Sequence, residues 1–217
     1  MNYPNSQPAL PGDIINTYGI PLTLKNLVSH PNDYFFKVML YRAQRREFKH
    51  TKRRSSLMAT HSRCFIDDDR GALSVTRPRA EYDPLYRVKS LLSPDSGPVT
   101  VWRYEYADQW SAEDIVALTA CADGLVDTEY DEGQLVDDAL KTLFPWIPKH
   151  SRIFDGGKEN VVCSVGARLC LNAAVESSWE HGTNLPYAIG TENAIATTSP
   201  ARFENSPRMK LVYECRN

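Results

Sequence analysis

Cys163 and His61 are the two side chains whose types and settings fit covalent chemistry done jointly. Cys163 lies in Val161-Val162-Cys163-Ser164-Val165-Gly166-Ala167-Arg168-Leu169-Cys170-Leu171, an apolar lead-in that runs directly into a helical pattern. A thiol in the first turn of a helix faces backbone N–H groups that the helix leaves unpaired, and the positive end of its dipole. Both favour thiolate over thiol. His61 sits far upstream in Met58-Ala59-Thr60-His61-Ser62-Arg63-Cys64-Phe65-Ile66, which reads as a strand. A helix-start thiol and a strand-borne imidazole are the minimal equipment of a thiol hydrolase, the imidazole taking the thiol proton as sulfur attacks a carbonyl.

The elements that must position these groups follow from the surrounding pattern. Leu57 to Ile66 and Gly71 to Arg77 flank the polar turn Asp67-Asp68-Asp69-Arg70, so they read as a hairpin. With those four residues as the loop, Ile66 pairs with Gly71 and His61 falls opposite Thr76. Alternation then puts Ser62, Cys64 and Ile66 on one face with Leu73 and Val75. His61, Arg63 and Phe65 share the other with Ala72, Ser74 and Thr76. The first face is apolar enough for a core, and the second is polar enough for a site.

Further strands are expected at Gly12–Asn16, Tyr86–Leu91, Val99–Tyr104 and Met209–Cys215. Helices are expected from Asp33 to Lys49, from Ser111 with a hydroxyl cap, from Glu132 to Phe144 and from Cys163 to Ser177. Residues 1–11 read as irregular. Strands first and helices later predict a single α+β domain over 1–217, with helices packed on an antiparallel sheet.

Composition narrows the partners. The chain has 217 residues, 42% hydrophobic and 24% charged, the proportions of an ordinary globular protein. A formal net charge of −2 gives no overall pull toward nucleic acid. The basic run from Arg42 to Arg54, seven Lys/Arg and a His, is read as a solvated helix end and loop, with contact to an anionic polymer as the alternative. Five cysteines (64, 121, 163, 170 and 215) without a C-x-x-C pair argue against a disulfide framework and against a zinc site. No metal or cofactor is expected. No apolar run reaches the roughly 18 residues of a membrane span. The Pro- and Asn-rich start lacks a basic segment followed by an apolar one, so synthesis in the reducing cytoplasm without a signal peptide is expected, with any outside role depending on lysis or on carriage in a virion.

In order along the chain, four segments resemble the circularly permuted papain-like cysteine hydrolases of the NlpC-type peptidase superfamily. They are Gly12-Asp13-Ile14-Ile15, Thr60-His61-Ser62, Leu125-Val126-Asp127-Thr128-Glu129-Tyr130-Asp131 with Gln134-Leu135, and Cys163-Ser164-Val165-Gly166-Ala167. The ending Thr197-Thr198-Ser199-Pro200-Ala201-Arg202-Phe203 is similar to that family's Thr-Pro-x-x-Leu segment. The resemblance implies a permuted papain-like fold, with an N-terminal sheet or small barrel followed by a helical half that carries the nucleophile. It also implies Cys163 as nucleophile and His61 as base, later acid. The family's third polar residue, often glutamate, falls on Ser74; either Ser74 or Thr76 could hold the ring, or an acid from elsewhere such as Glu81.

The family mostly cuts amide bonds in cell-wall peptides, so peptidoglycan stem peptide is the first substrate class implied. The same dyad would serve a thioesterase or acyltransferase on lipid or acyl-protein. The missing glutamate supports a third reading, a papain-like module kept as a structural or binding part of a virion or secretion assembly. Cys64, Cys121 and Cys170 read as buried small hydrophobes. His30, His50, His150 and His181 read as structural.

Overall fold

Six strands pair in the order β4-β3-β2-β1-β5-β6, every neighbouring pair antiparallel. They are β1 (Ile14–Tyr18), β2 (Ala59–Asp67), β3 (Gly71–Val75), β4 (Ala80–Asp83), β5 (Val99–Tyr104) and β6 (Met209–Cys215). The described helices are α1 (Leu85–Leu91), α2 (Ala112–Leu125), α3 (Cys163–Glu180) and α4 (Pro200–Asn205). This computed structural model describes residues 1–18, 59–76, 78–131, 146, 161–190 and 198–215. The helices expected over 33–49 and 132–144, and the basic run 42–54, lie outside the described residues. No helix among them is long and apolar enough to cross a membrane.

The β2–β3 hairpin forms for local reasons. The Asp67 carboxylate accepts the backbone N–H groups of Asp69 and Arg70, folding the turn onto itself, and Gly71 leaves it at φ +82°. From Phe65 backward the pairing is the expected one, with Phe65 opposite Ala72, Cys64 opposite Leu73 and Arg63 opposite Ser74. A register shift between Phe65 and Asp67 pairs Gly71 with Asp67 rather than Ile66.

Alternation divides the sheet between two apolar layers. Ile14, Cys64, Ile66, Leu73 and Val75 join a cluster with Leu118 of α2 and Cys170 and Leu171 of α3. Their neighbours Ile15, Phe65, Ala72, Val99 and Val101 face Val88 and Leu92 at α1 and Tyr3 of the N-terminal segment. Each fully buried side chain of this size contributes roughly 1.5–3 kcal/mol, so both layers hold the sheet in place. The α2 helix starts at a reciprocal cap: Ser111 Oγ accepts from the Asp114 N–H, and the Asp114 carboxylate accepts from the Ser111 N–H.

Two expectations are corrected. The small barrel does not form, because the sheet is open. Closure needs β4 to meet β6, but the outer edge of β4 is already occupied: Ala80 and Pro78 exchange backbone hydrogen bonds with Asp127, Thr128 and Tyr130. A barrel also hides one face of its sheet inside, whereas here separate layers cover both faces. The fold is thus an α+β open sheet. The strand expected at 86–91 is helical, because Pro84 precedes a turn whose buried residues Val88 and Leu92 recur at helical spacing.

Candidate active site

The N-terminus of α3 docks on the sheet where β3 runs out. Phe65 donates its N–H to the Asp13 carbonyl, so odd-numbered amides of β2 point toward β1 and even-numbered ones toward β3. Pairing with β3 stops at Arg63 and Ser74, which leaves the Ser62 amide beyond the last ladder residue. Cys163, the first residue of α3, fills that place: its sulfur accepts from the backbone N–H groups of Ser62 and Ser164. The adjoining Ser164 hydroxyl donates to the Thr198 carbonyl, tying the same turn to the segment that leads into α4.

Gly166 lets the turn come this close. A Cβ there would lie 2.8 Å from Cγ2 of buried Val75. Gly166→Ala is therefore expected to push α3 off β3 and to cost roughly 1–3 kcal/mol, only partly offset by the better helix propensity of alanine. The double variant Val75→Ala/Gly166→Ala should recover most of the loss. Thermal denaturation of the four proteins in that cycle measures it.

One residue from Ser62, the His61 Nε2 lies 3.1 Å from Ser74 Oγ. The ring is thus engaged at Nε2, which leaves Nδ1 for other work. Ser74 is buried, and Thr76 lies just beyond the end of β3, half-buried. Glu81 is exposed and pairs with Arg87. No hydrogen bond joins the Cys163 sulfur to the imidazole. Cys163 belongs to the helix-side cluster, whereas Ser74 alternates with Ala72 of the opposite one, so the two groups approach the same strand end from different faces.

Sequence reasoning placed Arg63 on the histidine's face but gave it no role. Its Nε donates to Asp83 Oδ2 at 2.6 Å and its Nη1 to Thr17 Oγ1 at 3.2 Å. Burial pushes the Asp83 carboxyl up, but the hydrogen bonds and charges of Arg63 and Arg87 outweigh it and hold the group below the usual range. The Arg63 cation acts on both candidate groups. Burial first, then Arg63, pushes the His61 imidazole down to about 3, with Asp83 offsetting part. Burial pushes the Cys163 thiol up; the Ser62 and Ser164 amides, the Arg63 charge and the Ser164 hydroxyl offset only part. The resting pair is therefore neutral thiol and neutral imidazole, not the thiolate that the helix start alone leads one to expect.

Iodoacetamide tests that state directly. Alkylation of Cys163, followed by peptide mass mapping across pH, should accelerate only above the range of an ordinary thiol, about pH 8.5. A reactive plateau reaching into mildly acid pH would instead reveal a preformed thiolate–imidazolium pair.

Among the described residues, no group of three His, Cys, Asp or Glu is placed to hold a metal. Asp13, in the first motif, accepts from Tyr3, Leu10 and Arg103 and is a structural anchor. The third motif approaches the site: Tyr130 bridges Val161, and buried Asp131 donates its N–H to the Val161 carbonyl, two positions before Cys163. A groove of about 500 Å³ lined by Trp179, Tyr187 and Arg208 lies at the other end of α3, roughly 24 Å from Cys163 at the helical rise, and takes no part in this site.

No protein-family model matches the chain, and no curated protein or solved structure is significantly similar to it.

Proposed function

We propose that the chain is a cysteine hydrolase of amide bonds, with Cys163 as nucleophile and His61 as base. The observation that supports the reading is Cys163 in the first turn of α3, packed on the helix side of the sheet whose strand β2 carries His61, with the His61 Nε2 lying 3.1 Å from Ser74 Oγ. For Nδ1 to act as base, Nε2 must carry the hydrogen and donate it to Ser74 Oγ. As the sulfur attacks the carbonyl carbon, its proton passes to Nδ1, a step that needs the imidazole to come round the end of β2 from the opposite face of the sheet. The C–N bond then breaks, the imidazolium protonates the departing amine, and a thioester remains on Cys163. Water, deprotonated by His61, cleaves that thioester and returns the thiol. The neutral resting pair makes this a proton transfer concerted with attack. The backbone N–H of Cys163, at the start of α3, is suited to the developing oxyanion.

Stem peptides of peptidoglycan are the substrate class that the ordered motifs support, since the family they resemble acts mostly there. Digestion of purified peptidoglycan, with mass analysis of the fragments, tests the bond. New amine and carboxyl ends within stem peptides are the expected result. Turnover of acyl thioesters with no muropeptide product would move the same dyad to a thioesterase or acyltransferase.

One observation favours a second reading. Cys163 is only 6% exposed, and its sulfur already terminates a sheet amide, which is also what a purely structural cysteine would do. The chain would then serve as a binding or structural part of a larger assembly. It predicts no product from either substrate.

A further inference from the structure

The groove at the far end of α3 is a built cavity that the hydrolase reading does not use. The segment that follows α3 forms part of its wall and is anchored: Leu185, Ala188 and Ile189 are buried in the helix-side core, and the Leu185 N–H reaches Ser178 Oγ at 3.3 Å. Trp179 is 41% exposed, yet its indole is held in place. The Nε1–H donates to the Leu185 carbonyl at 2.7 Å, and the Tyr187 ring meets it edge to face, with centroids 4.9 Å apart at 72°. The Tyr187 hydroxyl in turn donates to Glu176 at 2.8 Å. Arg208, from the turn that enters β6, is half-buried and lines the same space of about 500 Å³.

The polar inventory of this wall selects the ligand. The side-chain donors of Trp179 and Tyr187 are engaged as described, and the Ser206 hydroxyl donates to the Ala188 carbonyl. Arg208 gives its Nη1 to the Tyr187 carbonyl at 2.7 Å. Among the described residues its Nε and Nη2 make no hydrogen bond, and no carboxylate pairs with it. Those two nitrogens form one edge of the guanidinium, and their parallel N–H bonds match two oxygens of a carboxylate or a phosphate. A cation with that edge free, in one groove with a fixed indole, fits an anion attached to a flat ring. A sugar fits less well, because the hydroxyls round its rim would meet only one side chain with donors to spare.

We infer that this groove binds a small planar aromatic ring carrying one carboxylate or phosphate. The ring lies against Trp179, and the anion takes the Nε–Nη2 edge of Arg208. Indole and guanidinium are already held by hydrogen bonds within the protein, so binding orders little side-chain freedom. The groove stands roughly 24 Å from Cys163 at the helical rise, so the inference does not depend on the hydrolase reading.

NMR titration of the full chain with naphthoate, naphthamide and adenosine monophosphate tests this, read at the indole Nε1–H of Trp179 and at the backbone amides. Naphthoate should saturate with a Kd of roughly 0.1–1 mM and shift the Trp179 signal, whereas naphthamide, the same ring without the charge, should bind about 10-fold more weakly. Adenosine monophosphate separates the two anions: tighter binding than naphthoate selects the phosphate, and weaker binding selects the carboxylate. Arg208→Gln and Trp179→Ala should each cut naphthoate affinity by about 10-fold, and Arg208→Lys, which keeps the charge without the paired edge, should recover only part. Unchanged sheet amides show that these variants fold. Equal affinity of the wild-type chain for naphthoate and naphthamide would overturn the proposal without any variant. So would a Trp179 signal that stays in place, or no saturation below roughly 10 mM.

Discussion

Cys163→Ala is expected to reduce amide hydrolysis by on the order of 10³-fold or more while the fold survives. On the hydrolase proposal the substitution removes the nucleophile outright. Structurally it removes only a small side chain and the acceptor of the Ser62 amide, a loss of about 1 kcal/mol. A Tm within a few degrees of wild type, measured beside peptidoglycan digestion, separates lost chemistry from lost structure. Equal digestion by wild type and variant would end the hydrolase proposal and leave the non-enzymatic reading standing.

Gly71→Ala carries the largest expected effect on stability. A Cβ at Gly71 would lie 2.1 Å from the Asp83 carbonyl oxygen, and Leu85 N and Pro84 C are each 3.0 Å away. All three are backbone atoms, so no rotamer change relieves the clash, and the φ of +82° adds left-handed strain. A loss of roughly 3 kcal/mol or more is expected, lowering Tm by about 6–12 °C. Gly97→Ala is the control: its φ is +101°, but nothing lies within 4 Å, so only the strain should register, roughly 1–2 kcal/mol. Equal losses at the two positions would show that contact with β4 is not what Gly71 is needed for. On the hydrolase proposal, hydrolysis should fall with Gly71→Ala as well, because this hairpin sets the β2–β3 register that brings Ser74 to His61.

Much of the sheet was legible because its determinants are local. The Asp67–Arg70 turn and the alternation on either side of it specify which residue faces which, and the β2–β3 pairing follows through Phe65, Cys64 and Arg63. The Ser111–Asp114 cap and the strand Met209–Cys215 were equally local signals. The short elements were missed for two different reasons. α1 and α4 carry signals that could have been read: Pro84 ahead of Leu85 with Val88 and Leu92 at helical spacing, and Ser199 before Pro200. β4 has four residues, two of them acidic, and exists because Gly71–Val75 and residues 127–130 pair with it from both sides.

Closure was illegible in principle, since alternation says which side a residue faces and nothing about what meets an edge. The site divides the same way. Residue types pointed to Cys163, His61 and Ser74, but the protonation state of the pair depends on burial and on Arg63, whose partner Asp83 comes from an element that the sequence did not announce.

On the hydrolase proposal, the Ser62 amide has a further use. A thioester sulfur is a far poorer acceptor than a free one, so acylation of Cys163 strips this N–H of its partner. Its proton resonance should then move upfield and its solvent exchange quicken, while the amides paired within β1 and β2 stay put. Turnover would thereby report itself from the main chain, at a position that no substrate needs to touch.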